Sequence, residues 1–533
     1  MGRFVNPDNS AFQAALNSRI YVDKTGLIVC MNEVLDSTDA YICNSRPRRF
    51  GKSYAANMLA AYYSKGAESE KMFSDLEIGQ SEDFKKHLNK YDVIHIDVQW
   101  FLINCEDADN VVPYITKVVL DELREVYPEI LRQEVVSLPD ALSLVKDKTG
   151  QKFIIIIDEW DVLIRDESAN KKVQDEYIRF LRGMFKGTEP TKYIQLAYLT
   201  GILPIKKEKT QSALNNFREY SMLNAGCLAS YIGFTEDEVK KLCAEYQMNY
   251  EETKAWYDGY HLRVHQRTKV FDYAMYNPKS VVEAMMRHKY GTYWNRTETY
   301  EALKVYIQMN MDGLKDAVIE MLGGESVRVN TGTFMNDMTT FATRDDVLTL
   351  LVHLGYLTYD SDAEKVSIPN REVAQEYVNA VSTMDWHEVA RSIEASRKLL
   401  EALWKMDEAA VAKGVEQAHK EISVLQYNNE NALSCTINLA FYFAREYYTI
   451  VRELPTGKGF ADIVMIPRKL HIDKPAVVIE LKWDKSVSGA IEQIKRNEYI
   501  DVLRDYKGNL LLAGINYSKK TKKHTCMIEQ VQL

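Results

Sequence analysis

What this 533-residue chain lacks narrows its class. Its seven cysteines, Cys30, Cys43, Cys105, Cys227, Cys243, Cys435 and Cys526, form no C-x-x-C pair, and their number is odd. That argues against a disulfide framework or a zinc cluster and fits a reducing compartment. No stretch approaches the ~20 apolar residues that a membrane-spanning helix needs. The opening "MGRFVNPDNS" has no apolar signal core, and Asn6 stands where a myristoylation signal carries Ser or Thr. A cytoplasmic protein without a membrane partner is the expectation. Positive charge is not in excess either. A net charge of −9 excludes a protein that coats nucleic acid non-specifically and confines any such contact to a local basic patch. The ten histidines show no metal-ligating spacing, and signatures of a Ser or Cys nucleophile are absent.

What is present is a globular composition, 46% apolar and 27% charged, in a chain long enough for about two to four domains. Three textures follow one another. Residues 1–230 alternate strands and helices: "AYIC" (40–43), "DVIHIDV" (92–98), "KFIIIID" (152–158) and "KYIQLAYLTG" (192–201) read as strands, and "SYAANMLAAYYSK" (53–65) as a helix. The run 152–158 is apolar on both faces, as in a central strand of a covered parallel sheet. Residues 231–425 read as mostly helical, over 235–246, 281–289, 299–322, 344–354, 370–383 and 386–422, with a winged-helix-like helix and hairpin near 347–370. The first of these opens with a capping box, Thr235 and Glu238. Residues 426–533 return to mixed α and β. A helix is expected at 429–447, strands at 448–454, 460–467 and 475–483, a helix at 488–499 and a last core strand at 508–517. The fold class is α/β.

"SRPRRFGKS" (45–53) sits between a strand and a helix and ends as a phosphate-binding loop does. Such a loop wraps a phosphate in backbone N–H groups at a helix N-terminus. Gly51 permits close backbone approach, Lys52 bridges the outer phosphates, and the Ser53 hydroxyl reaches magnesium. Arg46 stands where the first glycine is usual and places a long side chain at the turn; Pro47 stiffens the loop, and Arg48 and Arg49 add positive charge beside a triphosphate. Gly-Lys-Ser alone equally marks a glycine capping an ordinary helix. The second half of the pattern decides: 105 residues after Ser53, a buried strand ends in Asp158-Glu159. Asp158 is placed to hold magnesium and Glu159 to orient the attacking water. Asp161 is a third carboxylate or the polar residue opening the next helix, the second reading being favoured. Thr200, before Gly201, is a γ-phosphate sensor or a polar strand terminus. The aromatic cluster Trp256, Tyr257 and Tyr260 reads as packing.

"YVDKTGLI" (21–28), "SRPRRFGKS", "IIIIDEWD" (154–161), "LTGI" (199–202), "ALNNF" (213–217), "GFTEDEV" (233–239), "WYDGY" (256–260) and "YNPKSV" (276–281) together resemble the AAA-ATPase-like family of bacterial and archaeal proteins. That family often carries a C-terminal PD-(D/E)XK nuclease-like domain. The resemblance implies a P-loop NTPase parallel sheet in 1–230, a helical middle and a restriction-endonuclease-like α/β domain in 426–533. It makes the loop with Arg46 a family trait.

The C-terminal residues support the same reading. Asp462 lies on one predicted strand, and 17 residues intervene before Glu480-Leu481-Lys482 on the next. Alternation puts Glu480 and Lys482 on one face, where Asp462 can meet them. Two carboxylates hold one or two Mg²⁺ ions, or Mn²⁺, which activate water and stabilise the leaving oxygen; the lysine supports the nucleophile or the developing charge. Glu430, on the preceding helix, is a further candidate ligand. Gln493, in "IEQIKRNEY", resembles the glutamine of the same superfamily. Phe460 replaces an arginine found in many relatives and bears on substrate choice. Lys482, Lys485, Lys495 and Arg496 offer a nucleic-acid backbone contact; "SKKTKKH" (518–524) does so too or is a solubilising loop. The chain reads as an ATP-binding module coupled, through its helical middle, to a Mg²⁺-dependent nuclease. The alternative is a nucleotide-gated binding protein whose nuclease-like domain does not cleave.

Overall fold

The computed structural model describes all residues except 1, 167–168, 206, 209–210, 213, 267–268, 295–298, 310, 312, 337–340, 383–386, 422–435, 457–458, 469–470, 497–508 and 533. The chain divides into two compact units. One comprises Met1–Thr297 with Arg328–Val373, the other Glu298–Val327 with Ala374–Leu533.

The first unit is built on strands β1 (Tyr41–Ser45), β2 (Asp92–Asp97), β3 (Phe153–Asp158), β4 (Ile194–Gly201) and β5 (Arg218–Tyr220), in the order β2-β3-β4-β1-β5. Every neighbouring pair is parallel. All six residues of β3 are buried, which accounts for its unbroken isoleucine run. Helix α1 (Lys52–Tyr63) follows β1 and packs against β2, β3 and β4. Parallel strands end at one edge, and the register gathers their last residues there. Asp97 lies opposite Asp158, Asp158 opposite Thr200, and Thr200 opposite Asn44. Four residues distant in sequence thus share one carboxyl edge, where open α/β sheets bind ligands.

The segment expected to be mostly helical also holds an antiparallel hairpin, β6 (Tyr260–Gln266) and β7 (Lys269–Tyr276), extended by Phe234–Thr235. Leu262 and Val264 are buried while His261 and His265 are exposed, a period of two that outweighs the helical surroundings. Helix α2 (Glu236–Glu245) carries the expected capping box between Thr235 and Glu238. Helix α3 (Pro278–Arg287) is capped by Asn277. Helix Arg344–Leu354 and the hairpin Thr358–Asp360/Lys365–Ser367 form as anticipated.

In the second unit two predicted helices are each broken in two. Thr299–Gln308 stops before Leu314–Leu322, which is preceded by Gly313 at φ +76°. His387–Trp404 stops before Glu408–Glu421, with Met406 at φ +54° between them. Its sheet runs β8 (Tyr448–Thr456), β9 (Gly459–Pro467), β10 (Ala476–Trp483), β11 (Asn509–Ser518) and β12 (Lys523–Gln532), in that order. Only β10 and β11 are parallel, joined across helix α4 (Val487–Arg496). Val464, Ala476, Val478, Ile491, Ile494, Leu510 and Leu512 form the core under that helix. The strand ending near 517 is therefore not the last. Most of the lysine-rich stretch 518–524 is the turn into β12, and His524 within it is buried.

Gly259 joins α-helical Tyr250–Tyr257 to β6 at φ +114°, and a β-carbon there would lie 1.9 Å from the Pro369 carbonyl oxygen. Both backbone strain and a clash oppose any side chain. Gly259→Ala is expected to cost about 3 kcal/mol or more of stability, measured by chemical denaturation.

Candidate active sites

At the carboxyl edge of the first sheet, Gly51 caps α1 at φ +93°, with open space around the position a β-carbon would take. Its requirement is therefore conformational. No side chain caps the N-terminus of α1. Lys52 is buried, and its Nζ arches back to donate to the Pro47 carbonyl at 3.0 Å. Asp158 is buried, with Ser53 and Lys52 close to its carboxyl. Burial pushes its carboxyl up to about 7; the Ser53 hydroxyl and the Lys52 charge oppose that rise, and Glu159 adds to it. Asp97, its neighbour across the sheet, is also raised, chiefly by burial. Burial lowers the Lys52 ammonium against the pull of Glu159, Asp161 and Asp158. The Thr200 hydroxyl is fully buried and has no hydrogen-bond partner.

Glu159 holds a left-handed backbone, φ +50°, and pairs with Arg165 at 2.6 Å. Arg165 Nε also reaches Asp161 Oδ2 at 2.8 Å. Asp161 precedes a helical turn but does not cap it. Instead its carboxylate accepts the Ile202 and Leu203 amides at 3.0 and 2.7 Å, and Gly201 leaves room for it. The Leu203 carbonyl in turn accepts from Ser45 Oγ at 2.8 Å and Trp160 Nε1 at 3.3 Å. These bonds strap the ends of β1, β3 and β4 together.

Arg46 does not project at the turn as the sequence suggested. Its side chain is fully buried, donating to the Ser45 and Tyr220 carbonyls at 2.9 and 3.2 Å, while its amide continues the ladder to Gly201. Desolvation lowers the guanidinium to about 10. Arg48 and Arg49 are exposed, Arg49 at φ +67°.

In the second unit, Asp462 Oδ2 accepts the Leu481 amide at 2.7 Å, which sets it beside Glu480. Glu480 is buried and accepts from Lys482 Nζ at 2.8 Å and from Gln493 Nε2. Lys482 Nζ also donates to Gln493 Oε1 at 2.7 Å. Gln493 reaches the strand because α4 lies close to β11. Gly514, in register with Glu480, permits this: a β-carbon there would be 2.9 Å from both Ala490 Cβ and the Val487 carbonyl. Glu430 and the side chains of Phe460 and Arg496 lie outside the described residues. Lys495 is ion-paired with Glu529, whereas Lys485, Lys519, Lys520 and Lys522 are exposed. Among the described residues no group of three or more His, Cys, Asp or Glu is placed to hold a metal. Asp462 and Glu480 form a pair of oxygen donors, the type that suits a hard divalent cation.

Sequence reasoning missed two residues at the first site, Asp97 and Arg165, and the role of a third, Asp161. Asp97 ends an apolar strand just as Asp158 does, and that signal was readable. Arg165 and the strapping role of Asp161 depend on the turn after β3, which carries no periodic mark.

The first unit thus defines a phosphate-loop type of parallel sheet, and the second a mixed sheet with an acid–acid–lysine face. Comparison with known families agrees with both. Residues 11–210 match the model described as predicted AAA-ATPase, and residues 428–526 match the PD-(D/E)XK nuclease superfamily. The chain joins an AAA-ATPase-like domain to a domain of that nuclease superfamily. No curated protein matches it. Of 17 matching chains of solved structures, one is the Aeropyrum pernix ORC2 protein in ADPNP–ADP complexes. It is 10% identical with a TM-score of 0.30, over 68% of this chain and 96% of that one, a likeness that carries no argument about function. Among the described residues no helix is long and apolar enough to cross a membrane.

A carboxyl whose pKa rises from 3.8 to about 7 on folding contributes stability that is full below the lower value and lost as pH climbs through the higher. Between about pH 5 and about pH 8 the wild type is expected to lose more melting temperature than Asp158→Asn, in the absence of nucleotide.

Proposed function

We propose that this protein binds ATP with Mg²⁺ at the edge of the first sheet and cleaves nucleic acid with Mg²⁺ or Mn²⁺ at the face of the second. The observation that carries the nucleotide half is the gathering of Lys52 and Ser53, at the start of α1, beside the buried Asp158 carboxyl that ends β3. The residues fit the ligand: an uncapped helix N-terminus, a buried lysine beside it, and the orphaned Thr200 hydroxyl. Bound Mg²⁺ would neutralise phosphate charge and polarise the γ-phosphoryl group. Ser53 and Asp158 would hold the ion, Lys52 would exchange the Pro47 carbonyl for phosphate oxygens, and Arg48 and Arg49 would add positive charge. Thr200 would sense the γ-phosphate. Glu159, fixed by Arg165, would orient water.

At the second site Asp462 and Glu480, with Glu430, would hold the cation, which supplies an activated water. Lys482 would steady the nucleophile or the charge on phosphorus, and Gln493 keeps Lys482 and Glu480 aligned. Exposed lysines around the site suit a phosphate backbone. A second reading, a nucleotide-gated binder that does not cleave, draws on the Glu480 carboxylate being already engaged by Lys482 and Gln493.

Lys52→Ala is expected to weaken ATP binding at least about tenfold by calorimetry, since one charge-assisted contact is lost. Retained affinity removes the loop from the nucleotide site. Separately, Asp462→Ala and Lys482→Ala should each abolish cleavage of DNA or RNA while ATP binding persists. Mn²⁺ titration of wild type and Glu480→Gln separates the two readings: Glu480-dependent affinity favours the nuclease.

A further inference from the structure

A phosphate loop ordinarily relies on glycines to take its shape, yet residues 46–50 here are Arg-Pro-Arg-Arg-Phe. The structure shows what replaces that freedom. Pro47 lies against Gly355, where a β-carbon would come within 2.7 Å of its ring. Phe50 is buried and meets the Tyr260 ring edge-on at 5.2 Å. Between them, the Arg48 carbonyl accepts two side-chain donors, Asn277 Nδ2 and Trp294 Nε1, each at 3.3 Å. Neither donor is loosely placed. Asn277 is buried, and its Oδ1 caps α3 by accepting the Ser280 amide at 3.2 Å. Trp294 is buried against Tyr356, ring to ring at 5.0 Å. The amides of Tyr293 and Trp294 both donate to buried Glu372, at 2.5 and 2.8 Å.

We infer that Asn277 and Trp294 are positioning residues for the nucleotide: their shared grip on the Arg48 carbonyl holds the phosphate loop in its binding shape. A carbonyl turned outward by two donors turns its peptide plane, and with it the neighbouring N–H groups that a phosphate would meet. The grip comes from chain more than 220 residues beyond the loop, so loop shape depends on the packing of α3 and the Trp294 segment. A preorganised loop binds without first losing conformational freedom, so releasing it weakens affinity without removing any group that touches the ligand. The inference rests on the nucleotide reading above for its ligand, but not for its geometry.

The test uses the full-length protein with Trp294→Phe, which keeps an aromatic ring and deletes the N–H, and Asn277→Ser, which can still cap α3 but is too short to reach Arg48. Two measurements are made: affinity for ADP by calorimetry, and tryptic cleavage after the exposed Arg48 and Arg49. In the double variant affinity is expected to fall about tenfold, as loss of two buried hydrogen bonds implies. Cleavage after Arg48 and Arg49 should accelerate while cleavage elsewhere and the melting temperature stay near wild type. Wild-type affinity in the double variant, or an affinity loss without faster loop cleavage, overturns the clamp. If the wild type binds no nucleotide, the nucleotide reading fails. The cleavage rate then decides the clamp alone, with unchanged cleavage overturning it.

Discussion

The first unit depends on a carboxylate that its surroundings disfavour. Asp158 ends the most deeply buried strand, and the register of parallel neighbours sets Asp97 beside it. Burial raises both carboxyls, and Glu159 adds negative charge next to them. Taking such groups out of water is costly unless charge or hydrogen bonds compensate. The protein supplies part of that compensation itself, through Ser53, Lys52 and Arg165. What stays uncompensated is an acidic edge facing an uncapped helix N-terminus. A divalent cation carrying an anion on its far side satisfies both at once, and few other ligands do.

The same edge explains why the loop tolerates arginine where glycine is usual. Arg46 leaves the loop altogether and lies buried between β1 and β5, so the turn is not crowded by its side chain. The left-handed conformation is left to Gly51 and Arg49, and the intervening backbone is held from outside. Rigidity from packing thus replaces flexibility from glycine. The sheet edge is strapped in the same manner: Asp161 binds two backbone amides of the β4 terminus, and the Leu203 carbonyl gathers Ser45 and Trp160.

Much of this was legible in the sequence because it is written in periods and strand ends. The run Phe153–Asp158 announced a covered strand and its acidic terminus, and Glu480-x-Lys482 announced two side chains on one face. Less was legible where order comes from tertiary contact. The strand Tyr260–Gln266 alternates with a period of two, but its partner Lys269–Tyr276 does not, and the hairpin sits among helices. Lys523–Gln532 follows a lysine-rich stretch that reads as a solubilising loop after the last core strand, yet it pairs along the whole of β11. Asn277 and Trp294 each reach the Arg48 carbonyl through one hydrogen bond across a distant segment, and no local pattern marks such bonds.

The second site shows the same economy of placement by a different device. Its polar face is set by pleat and register, but the helix that completes it must come unusually near. Gly514 makes that approach possible opposite Glu480. Once α4 is seated, Gln493 bridges Lys482 and Glu480, so the lysine cannot swing away from the face it serves. Asp462 accepts the Leu481 amide, one residue beyond Glu480. The helix thus orients Glu480 and Lys482 together through Gln493, and the strand backbone holds Asp462. A substitution of Gln493 removes both of its bonds, to Lys482 and to Glu480, at once, whereas the Leu481 amide still reaches Asp462.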